Sequence, residues 1–231
     1  MATYAFSDIH GDLELFRMIQ KHLKEDDVCY CLGDCIDRGP HGWTILKEVL
    51  RDERFKMLKG NHEDLLVRAL ECYYCDGDYD PEDYQVWLFN GGRPTIEEME
   101  ADTNLNLGGW VEHIRRLPLY TDYINADGIA IHLSHAGFTL SKEFLRNIHT
   151  KGDELLWDRD HITDICEPLP REIVVHGHTP IQRIVSDDSN MKPSVLWYSK
   201  NSKVCIDYGT PHTGAIVLLD LDTFEEHVFT K

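Results

Sequence analysis

Long hydrophobic runs are missing from this sequence of 231 residues. No stretch approaches the roughly eighteen apolar residues of a membrane-spanning helix, so no membrane partner is expected. Met1 to Phe6 carry no basic segment ahead of an apolar core, and no secretory signal is expected either. Cysteine is present but forms no framework: seven is an odd number, and Cys29, Cys31 and Cys35 crowd into one strand and its exit. That spacing excludes a disulfide scaffold and fits reduced thiols in a cytosol. Cys72 and Cys75 make a lone C-x-x-C with no second cysteine or histidine pair at zinc-ribbon spacing, which argues against a structural zinc module. Basic residues are scarce as well, 23 against 41 acidic ones, giving a formal charge of −18. With no segregated basic stripe, steering toward nucleic acid would be repulsive. Internal repeats and low-complexity tracts are also absent. What remains is a cytoplasmic protein, expected to be a monomer because no apolar stripe offers a partner surface.

What is there reads as one domain over residues 1–231, with enough apolar residues for one good core. Short apolar runs alternate with amphipathic ones through the first seventy residues, the signature of β-α-β units. Ala2 to Ser7, Val28 to Leu32 and Phe55 to Leu58 read as strands. Leu13, Phe16, Ile19 and Leu23 recur at helical spacing, and helices are expected again from Gly42 to Leu50 and Glu63 to Leu70. Residues 71–116 are acidic, aromatic and glycine-rich, and read as a helical insertion capping the sheet edge, with a loop from Asp76 to Pro81. Beyond Leu119 strands dominate, including Ile129 to Ser134, Ile173 to His176, Val204 to Asp207 and Ala215 to Leu219. The expected class is α/β, with two packed mixed β-sheets flanked by helices.

Residues able to bind metal sit in turns at the ends of these strands, each beside glycine. They are Asp8-Ile9-His10-Gly11, Gly33-Asp34-Cys35-Ile36-Asp37-Arg38-Gly39, Gly60-Asn61-His62-Glu63, His135-Ala136-Gly137 and His176-Gly177-His178-Thr179. Glycine lets the chain turn sharply after a strand, so short carboxylates and imidazoles can be aimed at one point. Singly, Asp8 could cap a helix, Asp34 and Asp37 could belong to turns, and His135 or His178 could be core histidines. Five such clusters at successive strand ends are hard to explain that way. Carboxylates, imidazoles and an amide oxygen without thiolate suit manganese, with iron or zinc as alternatives.

The ordered series Asp8-x-His10-Gly11, Gly33-Asp34-x-x-Asp37-Arg38-Gly39 and Gly60-Asn61-His62-Glu63 closely resembles the metal-dependent phosphoprotein phosphatases of the calcineurin-like phosphoesterase superfamily. His135-Ala136-Gly137 and Gly177-His178-Thr179 extend the resemblance into the last third of the chain. Trp87-Leu88-Phe89-Asn90-Gly91-Gly92 and Leu156-Trp157-Asp158-Arg159 look like the bacteriophage lambda and bacterial branch. The resemblance implies a calcineurin-like fold in which Asp8 and His10 hold one metal, Asn61, His135 and His178 the other, and Asp34 bridges the two. It implies that Arg38 and Arg159, with Asn61, face the phosphate, and that His62 is the general acid, oriented and kept protonated by Asp37. The expected substrate is a phosphorylated protein or peptide, a phosphoserine or phosphothreonine ester attacked by a hydroxide bridging two divalent ions.

Two positions depart from that pattern. Lys59 stands where most members carry arginine and loses the bidentate fork, and Ser7 replaces the usual glycine. The nearest rival is a symmetrical dinucleoside tetraphosphate hydrolase with the same metal centre. Proteins of that group typically lack an aspartate matching Asp37 and carry aspartate where this chain has Glu63. A catalytically dead scaffold is a rival of another class, but no proposed ligand or acid is missing. His132 and His176 also lie near proposed ligands, and strand alternation could turn either inward; His135 and His178 are preferred because each adjoins the turn of the motif.

Overall fold

The computed structural model describes residues 1–71, 81–164, 167–185 and 191–231. The expected loop at Asp76 to Pro81 and the Cys72 and Cys75 pair fall outside them or at their margin. β1 (Thr3–Phe6), α1 (Leu13–His22), β2 (Val28–Cys31), α2 (Gly42–Val49), β3 (Phe55–Met57) and α3 (Asn61–Glu71) follow one another in the expected order. Asp12, not Asp8, caps α1: its side chain accepts from Leu15 N, which leaves Asp8 free for another role. α4 (Pro81–Phe89), α5 (Arg93–Ala101) and α6 (Leu107–Arg115) come next. β4 (Tyr120–Ile124), β5 (Ala130–Ser134), α7 (Lys142–Arg146), α8 (Gly152–Trp157), β6 (Glu172–His176), α9 (Ile181–Ile184), β7 (Leu196–Tyr198), β8 (Lys203–Cys205), α10 (Thr210–Thr213), β9 (Ala215–Asp220) and β10 (Glu226–Thr230) complete the described chain.

The strands form two five-stranded sheets, ordered β10-β9-β1-β2-β3 and β4-β5-β6-β8-β7. In the first, β1, β2 and β3 run parallel while β9 and β10 join antiparallel. In the second, β5, β6 and β8 run parallel between the antiparallel edges β4 and β7. β9 explains the layering. Ala215, Val217 and Leu219 face the space between the sheets with Ala5, Leu133, Val175 and Val204, whereas Ile216 and Leu218 face the outer helices with Phe6, Phe16 and Trp43. With both faces covered, all six residues of β9 are buried, as the continuous apolar run requires. The outer face of the second sheet is covered by a smaller cluster of Val174, Phe138, Leu140, Ile148 and Leu155.

Residues 71–116 are expected to be a helical insertion, and the described part holds three helices, α4, α5 and α6. They pack on the helical layer, α4 and α6 on α3 and α5 on α2. Trp87, Met99, Val111 and Ile114 are buried there among side chains of α2 and α3. The reason is amphipathic: α3 buries nine of its residues, so its outer side needs a cover as much as its sheet side does. No helix among the described residues is long and apolar enough to cross a membrane.

The parallel strands β1, β2, β3, β5, β6 and β8 all deliver their C-terminal ends to one rim, and the turns there interlock. A Cβ on Gly33, whose φ is +99°, would lie 2.4 Å from Gly60 N; one on Gly177 would meet Asp8 Oδ2 at 2.2 Å. Gly33→Ala is therefore expected to destabilise the protein by on the order of 3 kcal/mol, combining overpacking with an unfavourable φ. Thermal denaturation checks this, and a melting temperature within a degree or two of wild type would contradict the tight turn-to-turn contact.

Candidate metal centre

Each of those six strand ends contributes a polar side chain to the rim. Asp8 and His10 leave β1, Asp34 and Asp37 leave β2, Asn61 and His62 open α3 just after β3, His135 follows β5 and His178 follows β6. Asp207, two residues beyond β8, is the sixth contribution, and the motif reading missed it. The strand-end rule alone would have found it, since Asp207-Tyr208-Gly209 has the same acid-then-glycine form. All these side chains are buried. Six of the eleven described non-glycine residues with positive φ lie here: Asp8, His10, Asp34, Asp37, Arg38 and His178. Such strain, of order 1 to 3 kcal/mol per residue, persists only where surrounding structure imposes it, and it concentrates at functional sites.

Asp34 is at the centre. Its Oδ2 lies 3.6 Å from His10 Nε2 and 3.8 Å from His62 Nε2, while its Oδ1 lies 3.5 Å from His135 Nε2. Metal-ligand atoms of His10, Asp34 and His62 converge within 4.8 Å, and so do those of Asp8, Asp34 and His135. Asp34 thus belongs to both groups. Asn61 Oδ1 extends the second, 2.8 Å from His135 Nε2 and 2.9 Å from His178 Nδ1. Asp8 Oδ1 sits 4.0 Å from His10 Nε2, while its Oδ2 accepts from Ser7 Oγ and from His178 N.

The tautomers show why these residues fit cations. His10 Nδ1 donates to Ile36 O at 2.9 Å and His135 Nδ1 donates to Leu32 O at 2.8 Å. Burial holds both imidazoles below their usual pKa, so each is neutral with its lone pair on Nε2; that of His135 faces Asp34, and that of His10 accepts from Arg38 at 2.8 Å beside Asp34. His135 Nε2 then faces Asn61 Oδ1, acceptor to acceptor, a contact a cation would relieve. Burial also draws His178 well below its usual range, and its Nε2 finds no hydrogen-bond partner among the described residues. The carboxylates tell the same story with opposite sign. Burial and then Asp8 push both Asp34 and Asp207 well above the usual range. Divalent cations would offset the crowding of negative charge and use the bare nitrogens.

Glu63 braces the turns. Its Oε2 accepts from Asp34 N at 2.8 Å and Gly60 N at 3.0 Å, and its Oε1 accepts from Cys35 N at 2.9 Å. Burial raises its pKa to about 7 against the pull of those amides. An aspartate, one methylene shorter, would not span the same three donors.

Asp37 and His62 form a second buried unit. His62 Nδ1 lies 2.7 Å from Asp37 Oδ2. Asp37 is gripped by the helices over residues 81–101: Thr95 Oγ1 donates to it at 2.7 Å and Trp87 Nε1 reaches both oxygens at 3.1 and 3.0 Å. Sequence reasoning missed both donors, which lie 50 and 58 positions away. The orientation of His62 by Asp37 is thus present. Burial raises Asp37 to about 7, and burial, with the Arg38 guanidinium 2.9 Å from Nε2, draws His62 well below its usual range.

Arg38 also reaches His10 Nε2 at 2.8 Å, and its backbone N is held by Gly91 O at 2.9 Å. Arg38 and Arg159 line one cleft with His10, His178 and Asp207. Three other side chains lie away from the cluster. Lys59 pairs with Asp64 at 3.0 Å. His132 lies between Asp122 and Glu172, and His176 Nε2 bonds Tyr198 Oη at 2.7 Å.

Manganese added at a hundredfold excess over its dissociation constant should stabilise the fold by about 2.7 kcal/mol, read as a calorimetric shift. Asp34→Asn should erase most of that gain while the metal-free variant melts at or above wild type, since one crowded carboxylate has gone. A variant that keeps the full gain would contradict a shared ligand.

Residues 1–196 match the calcineurin-like phosphoesterase family. Over 223 residues the chain is 25% identical to serine/threonine-protein phosphatase 2 of Escherichia coli (strain K12), covering 92% of this chain and 89% of that protein. A 72-residue stretch, 29% of this chain and 26% of the relative, is 38% identical to a symmetrical bis(5'-nucleosyl)-tetraphosphatase of Buchnera aphidicola subsp. Acyrthosiphon pisum (strain Tuc7). Among solved structures, a candidate diadenosine tetraphosphatase superposes with a TM-score of 0.63 at 14% identity, covering 98% of this chain and 92% of that one. That likeness concerns the fold alone. With the rim geometry and the match over residues 1–196, the chain belongs to the calcineurin-like phosphoesterase family.

Proposed function

We propose that this phosphoesterase is a serine/threonine protein phosphatase, and the observation that carries the reading is the Asp37–His62 pair beside the ligand cluster. Asp8, His10 and Asp34 would hold one divalent ion, and Asp34, Asn61, His135 and His178 the second, with manganese as the expected metal and iron or zinc as alternatives. When bound, such ions supply Lewis acidity to the phosphoryl oxygens and acidify an attacking water. The chain's own groups do the rest. Arg38 and Arg159 grip the non-bridging oxygens with planar forks, a role for which guanidinium is better shaped than ammonium. His62 Nε2 faces the cluster and gives a proton to the leaving oxygen. Asp37 fixes the ring through Nδ1 and balances its charge while Nε2 is protonated.

A serine or threonine alkoxide leaves poorly without a proton, whereas p-nitrophenolate leaves well. General-acid help of about 10² to 10⁴ is therefore expected to matter only for the alkyl esters. The full-length similarity to a serine/threonine-protein phosphatase, against a 72-residue match to the tetraphosphatase, supports the protein substrate. So do Asp37 and Glu63, both used in this chain. The second reading, dinucleoside tetraphosphate hydrolysis, draws on that shorter match.

With manganese, His62→Asn is expected to lose at least a hundredfold in kcat/KM on a phosphoserine peptide and far less on p-nitrophenyl phosphate. Trp87→Phe, which removes the donor to both Asp37 oxygens, is expected to show the same split at about tenfold. Equal losses on both esters would remove His62 from the acid role, and diadenosine tetraphosphate turned over faster than any phosphopeptide would favour the second reading.

A further inference from the structure

The phosphate grip uses Arg38 and Arg159, yet the same cleft holds a third guanidinium. Arg183, in α9, lines a cavity of about 590 Å³ together with Arg38, Arg159, His178 and Asp207. It is exposed, and among the described residues no hydrogen bond or ion pair engages its side chain. The helix that carries it is well anchored. Ile181 N donates to Asp207 O at 2.9 Å, Arg183 N to Pro180 O at 2.7 Å, and Gln182 Nε2 to Tyr208 O at 3.1 Å. The guanidinium is thus presented from a fixed turn at the edge of the metal cluster.

That placement runs against the charge of the chain. At −18 the protein has 41 acids available to its 23 lysines and arginines, and several surface arginines are paired: Arg17 with Glu48, Arg54 with Asp52, Arg116 with Glu112. In this cleft Arg159 stands in the field of Arg183 and Arg38, with Asp8 and Asp34 acting in the opposite sense, and Arg183 also acts on Asp207. Arg183 is near enough to Arg159 to lower its pKa, second only to burial. Like charges held together raise the energy of the empty cleft and lower it again when anions enter. One scissile phosphate is already served by Arg38, Arg159 and the ligand cluster. A further cation displaced along the cleft suits a second anionic group on the same molecule. The cavity has room for one, being of the size that takes a ligand much larger than a phosphate. Its rim also carries Phe89, 93% exposed.

We infer that Arg183 forms a second anion subsite, which takes the carboxylate or phosphoryl group of a residue flanking the phosphorylated serine or threonine. The enzyme would then prefer acidic phosphopeptides although its overall charge repels them, and would lose that preference as salt rises. The inference rests on the proposed phosphatase reading.

The test compares two phosphoserine peptides that differ only in a flanking glutamate or glutamine, assayed with manganese. The wild-type kcat/KM ratio should favour glutamate roughly five- to tenfold, fall close to one in Arg183→Gln and be partly retained in Arg183→Lys. Because the readout is a ratio within one protein preparation, partial unfolding of a variant does not imitate the effect. A wild-type ratio near one, or the same ratio in Arg183→Gln, would overturn the inference. If neither peptide is hydrolysed while p-nitrophenyl phosphate and diadenosine tetraphosphate are, the serine/threonine reading fails by itself. The subsite is then judged on the tetraphosphate to p-nitrophenyl phosphate ratio: a drop in Arg183→Gln keeps it and an equal ratio removes it.

Discussion

Asp8, Asp34 and Asp207 are brought to one buried rim by strands of two different sheets. Asp34 and Asp207 are each pushed upward in pKa by desolvation first and by Asp8 second. A protein that packs acids so closely, while turning the Nε2 lone pair of His135 toward them, is arranged around more positive charge than Arg38 beside them supplies. The positive-φ turns at Asp8, His10, Asp34 and His178 are the backbone expression of the same constraint. They hold short side chains at an angle that an unstrained turn would not give.

A second constraint links that centre to the helices over residues 81–101. Those helices cover α2 and α3, which is a packing role, but Trp87 and Thr95 also donate to Asp37, and Gly91 O fixes the backbone of Arg38. The segment therefore reaches the cleft from outside the two sheets and sets the pose of the two residues that follow Asp34 in the same turn. Phe89, the last residue of α4, and Asn90 after it line the cleft as well. In this way a surface segment can change substrate preference without touching the ligand set.

Much of this was legible in the sequence for a physical reason. Strands buried on both faces, such as β1 and β9, appear as short apolar runs closed by aspartate, so element and turn are visible together. The acids, imidazoles and amide at those turns were read from the same pattern, and the structure gathers them at one rim. Asp207 obeys the same strand-end rule but stands outside the motifs that carry the resemblance. Trp87 and Thr95 were out of reach for a different reason: their contact with Asp37 depends on how α4 and α5 seat on other helices, which no local spacing encodes.

The central claim is that two cations occupy the rim with Asp34 between them. Anomalous diffraction from crystals grown with manganese tests it most directly. The account predicts two peaks roughly 3.5 to 4 Å apart, one against Asp8 and His10, the other against Asn61, His135 and His178, with Asp34 touching both. A single peak away from Asp34, or none at the rim in an enzyme that still hydrolyses phosphate esters, would contradict it.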